Sequence, residues 1–199
     1  MKRIVGFAVI LFCFTAPALM AQAGAASGGD HFEVGIFADY LRLSQVNPVI
    51  NFVGIGGRLG FYTSPRLALE AEMAYDFSRN FTTTFSNGIT TQFVSVRTRP
   101  LTGLFGPKFQ TGSGALRLFA TGKVGFINFN STTSGGTAGF TSSINAITSG
   151  NTRFALYPGG GAEVFLGPIG LRAEVGDEIY FDNGARNNLR VTFGPHIRF

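Results

Sequence analysis

The sequence predicts an all-β fold: an eight-stranded antiparallel up-and-down transmembrane β-barrel. Three observations predict it. Apolar residues alternate with small, polar or charged ones along eight extended segments. The connections between those segments alternate between long and tight. Charged residues make up only 14% of the chain, beside 28 glycines and 22 phenylalanines, where soluble domains carry about a quarter. A soluble domain this poor in charge struggles to cover its surface, whereas a barrel facing lipid has no such need.

The start of the chain is set apart first. Lys2 and Arg3 precede an apolar run from Ile4 to Phe14, Pro17 breaks it, and Ala21-Gln22-Ala23 forms a small-x-small cleavage motif. Residues 1–23 therefore read as a secretory signal peptide cut after Ala23. The run is too short to span a bilayer comfortably. Cys13, the one cysteine, lies inside it and follows Phe12 rather than the small residue a lipoprotein signal needs. Residues 24–199 are predicted to form one barrel domain, without disulfides or thiol chemistry. Their fourteen Lys and Arg against eleven Asp and Glu leave an excess of only +3. No basic run carries interleaved aromatics, so nucleic acid is not a predicted partner.

Side chains on a strand alternate faces with period two. In Phe32–Leu41 one face holds Phe32, Val34, Ile36, Ala38 and Tyr40, and the other Glu33, Gly35, Phe37 and Asp39. Val53–Tyr62 sets Val53, Ile55, Leu59 and Phe61 against Arg58 and glycines. Leu67–Phe77 is the cleanest, with Leu67, Leu69, Ala71, Met73, Tyr75 and Phe77 against Ala68, Glu70, Glu72, Ala74 and Asp76. Phe93–Phe109 is defective: Val94 and Val96 oppose Arg97 and Arg99, yet Phe105 and Phe109 share the arginines' phase. A phase-switching bulge at Pro100 or Gly106-Pro107 is the expectation. Leu116–Phe126 places Arg117 and Lys123 opposite Leu116, Leu118 and Val124. Phe154–Leu166 reads as interrupted by Pro158 and Gly159–Gly161, with Glu163 opposite Ala162 and Val164. Leu171–Tyr180 opens with Leu171, Ala173 and Val175 against Arg172 and Glu174.

Thr63–Arg66, Gln110–Gly114 and Gly167–Gly170 read as tight turns, and Ser78–Gln92 and Asn130–Asn151 as long loops. Leu43–Asn51 and Asp182–Asn187 are intermediate. Short turns at one end and long loops at the other describe a meander whose ends face different surroundings. Segments of about 9–11 residues suffice to cross a bilayer as tilted strands, and closure is then required because an open edge cannot hydrogen-bond to hydrocarbon.

The last segment, "LRVTFGPHIRF", alternates to the final residue: Leu189, Val191, Phe193, Pro195, Ile197 and Phe199 against Arg190, Thr192, Gly194, His196 and Arg198. Val191, Phe193, Ile197 and Phe199 resemble the C-terminal assembly signal of bacterial outer-membrane barrels. With "LTGLFGPKF", "LYPGGGAEV" and "NNLRVTFGPHIRF", the chain is similar to the small eight-stranded barrels of the OmpA and OmpX type, in the outer membrane protein beta-barrel domain family. That resemblance implies residence in the bacterial outer membrane, lipid and the barrel-assembly machinery as partners, and a monomer. The resemblance departs from full-length OmpA in that no domain is expected after the barrel, so a peptidoglycan anchor is not implied.

The polar phases collect Glu33, Asp39, Glu70, Glu72, Glu163 and Glu174 with Arg58, Arg117, Lys123, Arg172, Arg190 and Arg198. An eight-stranded barrel is just wide enough for side chains to fill it. Buried charge is costly unless paired, so near-equal numbers predict a lumen ion network; a gated route for small solutes is the functional alternative. Enzymatic activity, cofactors and metals are not predicted. His31 falls at the start of the first strand, His196 points inward with no serine beside it in its strand, Glu70 and Glu72 share a face without specificity, and no Cys/His cluster offers ligands. The glycines of "VGIGGRLG" precede no helix and read as strand packing. Loops 78–92 and 130–151 are rich in Thr, Ser, Asn and Gly, with Phe81, Phe85 and Phe140 expected to be exposed. They are the candidate contacts for a surface ligand. The predicted function is a structural or adhesion-like surface role for a barrel with a charge-filled lumen. The alternatives are a narrow diffusion channel or a secreted lipocalin-like binder.

Overall fold

The computed structural model describes residues 31–44, 49–86, 91–111, 114–134 and 151–199. The predicted signal peptide, with Ala21 and Ala23, lies outside them. Eight antiparallel staves close into a barrel, and the described residues contain no helix. The staves are β1 (Phe32–Leu43), β2 (Ile50–Ser64), β3 (Leu67–Asp76) continued by β4 (Arg79–Ser86), β5 (Thr91–Gln110), β6 (Leu116–Ser134), β7 (Asn151–Leu166), β8 (Ile169–Asp177) continued by β9 (Ile179–Phe181), and β11 (Asn188–Arg198). Between the last two, β10 (Ala185–Arg186) folds back on β9. Each stave pairs with its neighbour in sequence, and β1 pairs with β11 to close the ring, from Glu33↔Arg198 to Leu43↔Asn188. The tight turns and the start of β1 and end of β11 share one end, the turn end. The longer connections share the other, the loop end.

Alternation determines which side each residue faces. Ile36 is 68% exposed while the adjacent Phe37 is 5% exposed. Val53, Ile55, Leu59, Met73, Phe105, Leu118, Val124, Val175 and Phe193 join Ile36 on the outside, and the charged set joins Phe37 within. Tyr40 and Tyr75 sit toward the loop end of this apolar belt, while Phe32, Phe61, Phe109 and Phe199 ring the turn end. Their rings touch there: Phe32 lies 5.2 Å from Phe61 and 6.3 Å from Phe199, centroid to centroid. Aromatic girdles at both margins of an apolar band are the mark of a lipid-facing barrel.

The structure corrects the reading of the defective segment. β5 keeps one register against β6 from Ser95↔Ser134 to Gln110↔Phe119, with no phase switch at Pro100 or Gly106-Pro107. The irregularity lies in its other neighbour. β3 pairs up to Tyr75↔Leu101 and β4 resumes at Arg79↔Thr98, one residue out of step. Arg97 and Arg99 share the outer face with Phe105 and Phe109 because they stand above the apolar belt, where outward residues meet water. There Arg99 donates to the Tyr75 hydroxyl at 2.9 Å and Arg97 to Ser78 Oγ at 2.7 Å.

The expected long loop 78–92 is likewise a hairpin: β4 pairs with the start of β5 from Arg79↔Thr98 to Ser86↔Thr91. Phe81 and Phe85 lie in that strand rather than in a loop. β6 runs five residues into the expected loop 130–151, whose residues 135–150, Phe140 among them, lie outside the described residues. β7 is not interrupted: it holds one register with β6 from Leu116↔Val164 to Phe129↔Asn151, through Pro158 and the glycines.

Proline cannot donate to a ladder and is normally confined to edges or bulges, yet a closed barrel has no edge. Here each strand proline faces a local gap. Pro100 faces the break between β3 and β4, and Pro158 the break between β8 and β9. Pro107 and Pro195 fall where the pairing of β5 with β6, and of β11 with β1, skips two residues. Gly106 and Gly194 precede the latter two, and a Cβ on either would strike a neighbouring carbonyl, that of Gly122 or Ile36.

Placing arginine at position 36, midway along the lipid face of β1, should cost about 2–4 kcal/mol of folding free energy in lipid vesicles, and at Tyr40, beside the girdle, about 0–1 kcal/mol. Equilibrium urea unfolding of Ile36→Arg and Tyr40→Arg checks this. Equal costs at both positions would remove the depth dependence that a bilayer imposes.

Candidate functional site

The strands aim every second side chain into a lumen too narrow for bulk water. Among the described residues, eight acids and seven bases are buried there. At its centre Arg172, on β8, donates to Glu70 Oε1 at 2.5 Å and Oε2 at 3.0 Å, and lies 2.5 Å from Glu174. Its guanidinium also stacks 4.0 Å above the Phe119 ring. Lys123 lies 2.7 Å from Glu72, 3.2 Å from Glu174 and 3.3 Å from Glu70. Arg58 bridges Glu72 at 2.8 Å and Glu174 at 3.0 Å. Nearer the loop end, Arg190 joins Asp39 and Glu72, each at 2.9 Å. Nearer the turn end, Arg198 meets Glu33 at 2.8 Å and also the Tyr62 hydroxyl.

The charges predicted to face inward are all buried, and those other than Arg117 stand in these ion pairs or immediately beside them. Arg117 has its guanidinium 4.3 Å above Phe165 and its Nε donating to the Gly114 carbonyl. Val191, Phe193, Ile197 and Phe199 point outward, exposed.

Three charges escaped the sequence reading. Lys108 lies 2.7 Å from Glu163 and 3.1 Å from Glu70. The misplaced bulge in β5 hid its phase, which simple alternation from Phe105 and Phe109 would have revealed. Glu178 accepts from Thr102 at 3.0 Å and lies 3.5 Å from Arg190. Asp76 is fully buried at the end of β3; its inward phase was legible, but it was not counted with the other acids.

The lumen changes character toward the loop end. Leu41, Leu43, Phe52, Leu104, Ile127, Ala155, Tyr157 and Tyr180 form an apolar layer across the bore, with Ile50 and Phe129 packed against it. Phe129 meets Tyr180 edge-on at 5.3 Å. The bore is thus filled by ion pairs over most of its depth and capped by hydrocarbon at one end.

His196 faces inward, as its phase predicts, and is buried in the lumen. Neither ring nitrogen has a hydrogen-bond partner. The neighbouring guanidiniums are taken up by carboxylates, and the ring lies edge-on to Phe165 at 4.9 Å.

Removing one member of a buried ion pair strands the others and costs about 3–5 kcal/mol. Glu72 touches three bases, so Glu72→Ala should destabilise the folded barrel by at least that much. Glu72→Gln combined with Lys123→Met should cost less than the sum of the single changes. Urea unfolding in vesicles measures both, and wild-type melting with unchanged heat-modifiability on gels would show that the network does not support the fold.

No family model and no curated protein matches the sequence. Solved structures do match in fold. Ail, the attachment invasion locus protein of Yersinia pestis, in complex with the heparin analogue sucrose octasulfate, aligns with a TM-score of 0.53 at 13% identity, over 85% of this chain and 97% of Ail. Neisserial surface protein A aligns with a TM-score of 0.53 at 11% identity, over 88% of this chain and 100% of that one. With its ring closed between first and last strands and its apolar side turned outward, the chain has the fold of the small eight-stranded outer-membrane β-barrels.

Proposed function

We propose that this protein is an integral barrel of the bacterial outer membrane that acts through its outer surface and conducts nothing. One observation carries the reading: an apolar layer, from Leu41 and Phe52 to Ile127 and Tyr180, crosses the bore above a lumen packed with ion pairs. A diffusion route would have to wet that apolar layer and separate buried ion pairs such as Arg190–Asp39, each costly to break. The apolar belt between aromatic girdles supports membrane residence and argues against a secreted lipocalin-like binder, which keeps its apolar face inside.

The working surface is then the loop end. β4, β5 and β6 rise beyond the belt there, and Arg42, Arg79, Arg97 and Arg99 are exposed. Arg153 is paired with Asp182 at 3.2 Å. The excess of arginine favours a ligand bearing negative groups, since guanidinium pairs well with sulfate, phosphate and carboxylate. The sulfated ligand of Ail, a barrel of similar fold, makes a sulfated glycan the first probe to try. The central carboxylates Glu70, Glu72 and Glu174 are held by bases, which gives no support to a catalytic role for them.

Purified barrel in planar bilayers should show no single-channel conductance steps; reproducible steps would favour the channel alternative. Heparin should bind the wild type in a salt-dependent manner and bind an Arg79→Ala, Arg97→Ala, Arg99→Ala variant at least tenfold more weakly. Deleting residues 135–150 should leave the barrel folded and reduce attachment of cells to a glycan-coated surface. Undiminished attachment would remove the adhesive role.

A further inference from the structure

Below the central ion pairs, toward the turn end, three side chains from three strands converge. Glu33 comes from β1, Glu163 from β7 and His196 from β11. Each is almost wholly buried, at 2%, 0% and 3% exposure. A carboxylate oxygen from each acid and a ring nitrogen of the histidine all lie within 4.8 Å of one another.

The hydrogen bonding of the three is lopsided. Glu33 Oε2 accepts from Tyr62 and from Arg198, both at 2.8 Å, while its Oε1 has no hydrogen-bond partner. Glu163 Oε1 accepts from Lys108 at 2.7 Å and Arg172 at 3.1 Å, while its Oε2 has none. Both His196 nitrogens are unpartnered as well. Buried polar atoms are normally satisfied, and each orphan costs about 1–3 kcal/mol. Here each carboxylate is held by one oxygen and leaves the other without a hydrogen bond, and the two groups converge on an imidazole that is likewise unpartnered. The imidazole is itself seated with care. Gly35 and Gly170 face it from the two adjacent strands, and a Cβ on either would collide with the histidine.

We infer that Glu33, Glu163 and His196 form a binding site for one divalent transition-metal ion of the zinc class. Two carboxylate oxygens and one imidazole nitrogen suit Zn²⁺, with water completing four ligands, whereas Mg²⁺ and Ca²⁺ prefer oxygen throughout. The bases that hold the rear oxygens orient the ligands as outer-shell partners do. They also limit the affinity. Arg172 lies 3.7 Å from Glu33 Oε1 and Arg198 lies 3.8 Å from Glu163 Oε2, so a dication enters a group already neutral. Binding is therefore weaker than at a structural zinc site and leans on the imidazole. A bound ion would tie β1, β7 and β11 together beside the closure of the ring.

The test uses the full barrel, folded in detergent with any affinity tag removed, in a His31→Ala background that leaves His196 as the one histidine. Zn²⁺ titrated calorimetrically should bind one to one. Co²⁺ should give the intense visible bands of a four-coordinate site. His196→Gln should weaken Zn²⁺ binding by about 100-fold or more, beyond the loss typical of an outer-shell change. Zinc should also raise the temperature of the gel heat-shift in the parent and not in that variant. Histidine-selective ¹⁵N labelling of the parent reads the same contact without disturbing the site: its ring-nitrogen resonance should move on adding Zn²⁺. No saturable binding, equal binding by His196→Gln, or an unmoved resonance would overturn the inference and assign the orphan atoms to trapped water.

Discussion

Arg172 and Glu70 face each other through two hydrogen bonds in the middle of a bore that water does not fill, and most of the structure follows from the need to keep such pairs intact. Hydrocarbon outside demands an apolar outer face, and period two then delivers the polar residues inward on every strand at once. Charges taken out of water repay their desolvation only when geometry is good and the remaining lone pairs are used. Glu70, Glu72 and Glu174 meet that demand by sharing Arg58, Lys123 and Arg172, so none of these three depends on a single partner. Aromatic rings fill the space between them and add cation–π contacts, as Phe119 does for Arg172 and Tyr62 for Arg198 at 4.0 Å.

The fold was legible because one physical rule acts on every strand. Leu67 to Phe77 displays the lipid face and the lumen face without a fault, and Glu70 and Glu72 fall where that phase puts them. Legibility failed where the rule stops applying. Above the belt, outward residues meet water on both faces of the wall, so Arg97 and Arg99 looked like a change of register. Within the bore at the loop end, inward residues meet one another rather than charges, so Leu41, Leu43 and Phe52 were invisible as a cap. Alternation reports the difference between two faces, not the identity of either. The convergence of Glu33, Glu163 and His196 was hidden for another reason: residues on three strands are brought together by closure alone, and no spacing along the chain encodes it.

The prolines show how a closed sheet tolerates residues that a ladder rejects. Pro158 stands beside the break at Glu178, whose own amide donates instead to the Asn188 carbonyl at 2.8 Å. Pro100 stands beside the offset between β3 and β4, the same offset that lets the β4–β5 hairpin continue above the belt with a fresh register. Interruptions that seemed to argue against continuous strands are thus confined to one side of a stave, and the other side carries the register onward.

The meeting of β1 and β11 has a kinetic meaning. Glu33 and Arg198 are 165 positions apart, so the contact that completes the ring is also among the most distant in the sequence. Lengthening a loop adds little to its closure entropy, about 0.6 kcal/mol per doubling, but pairings this remote are slow to find. Until they form, two strands present unpaired amides to hydrocarbon, a state the bilayer strongly disfavours. Glu33–Arg198 and Asp39–Arg190 both span this juncture, so the same strand pairing that seals the wall also neutralises these charges.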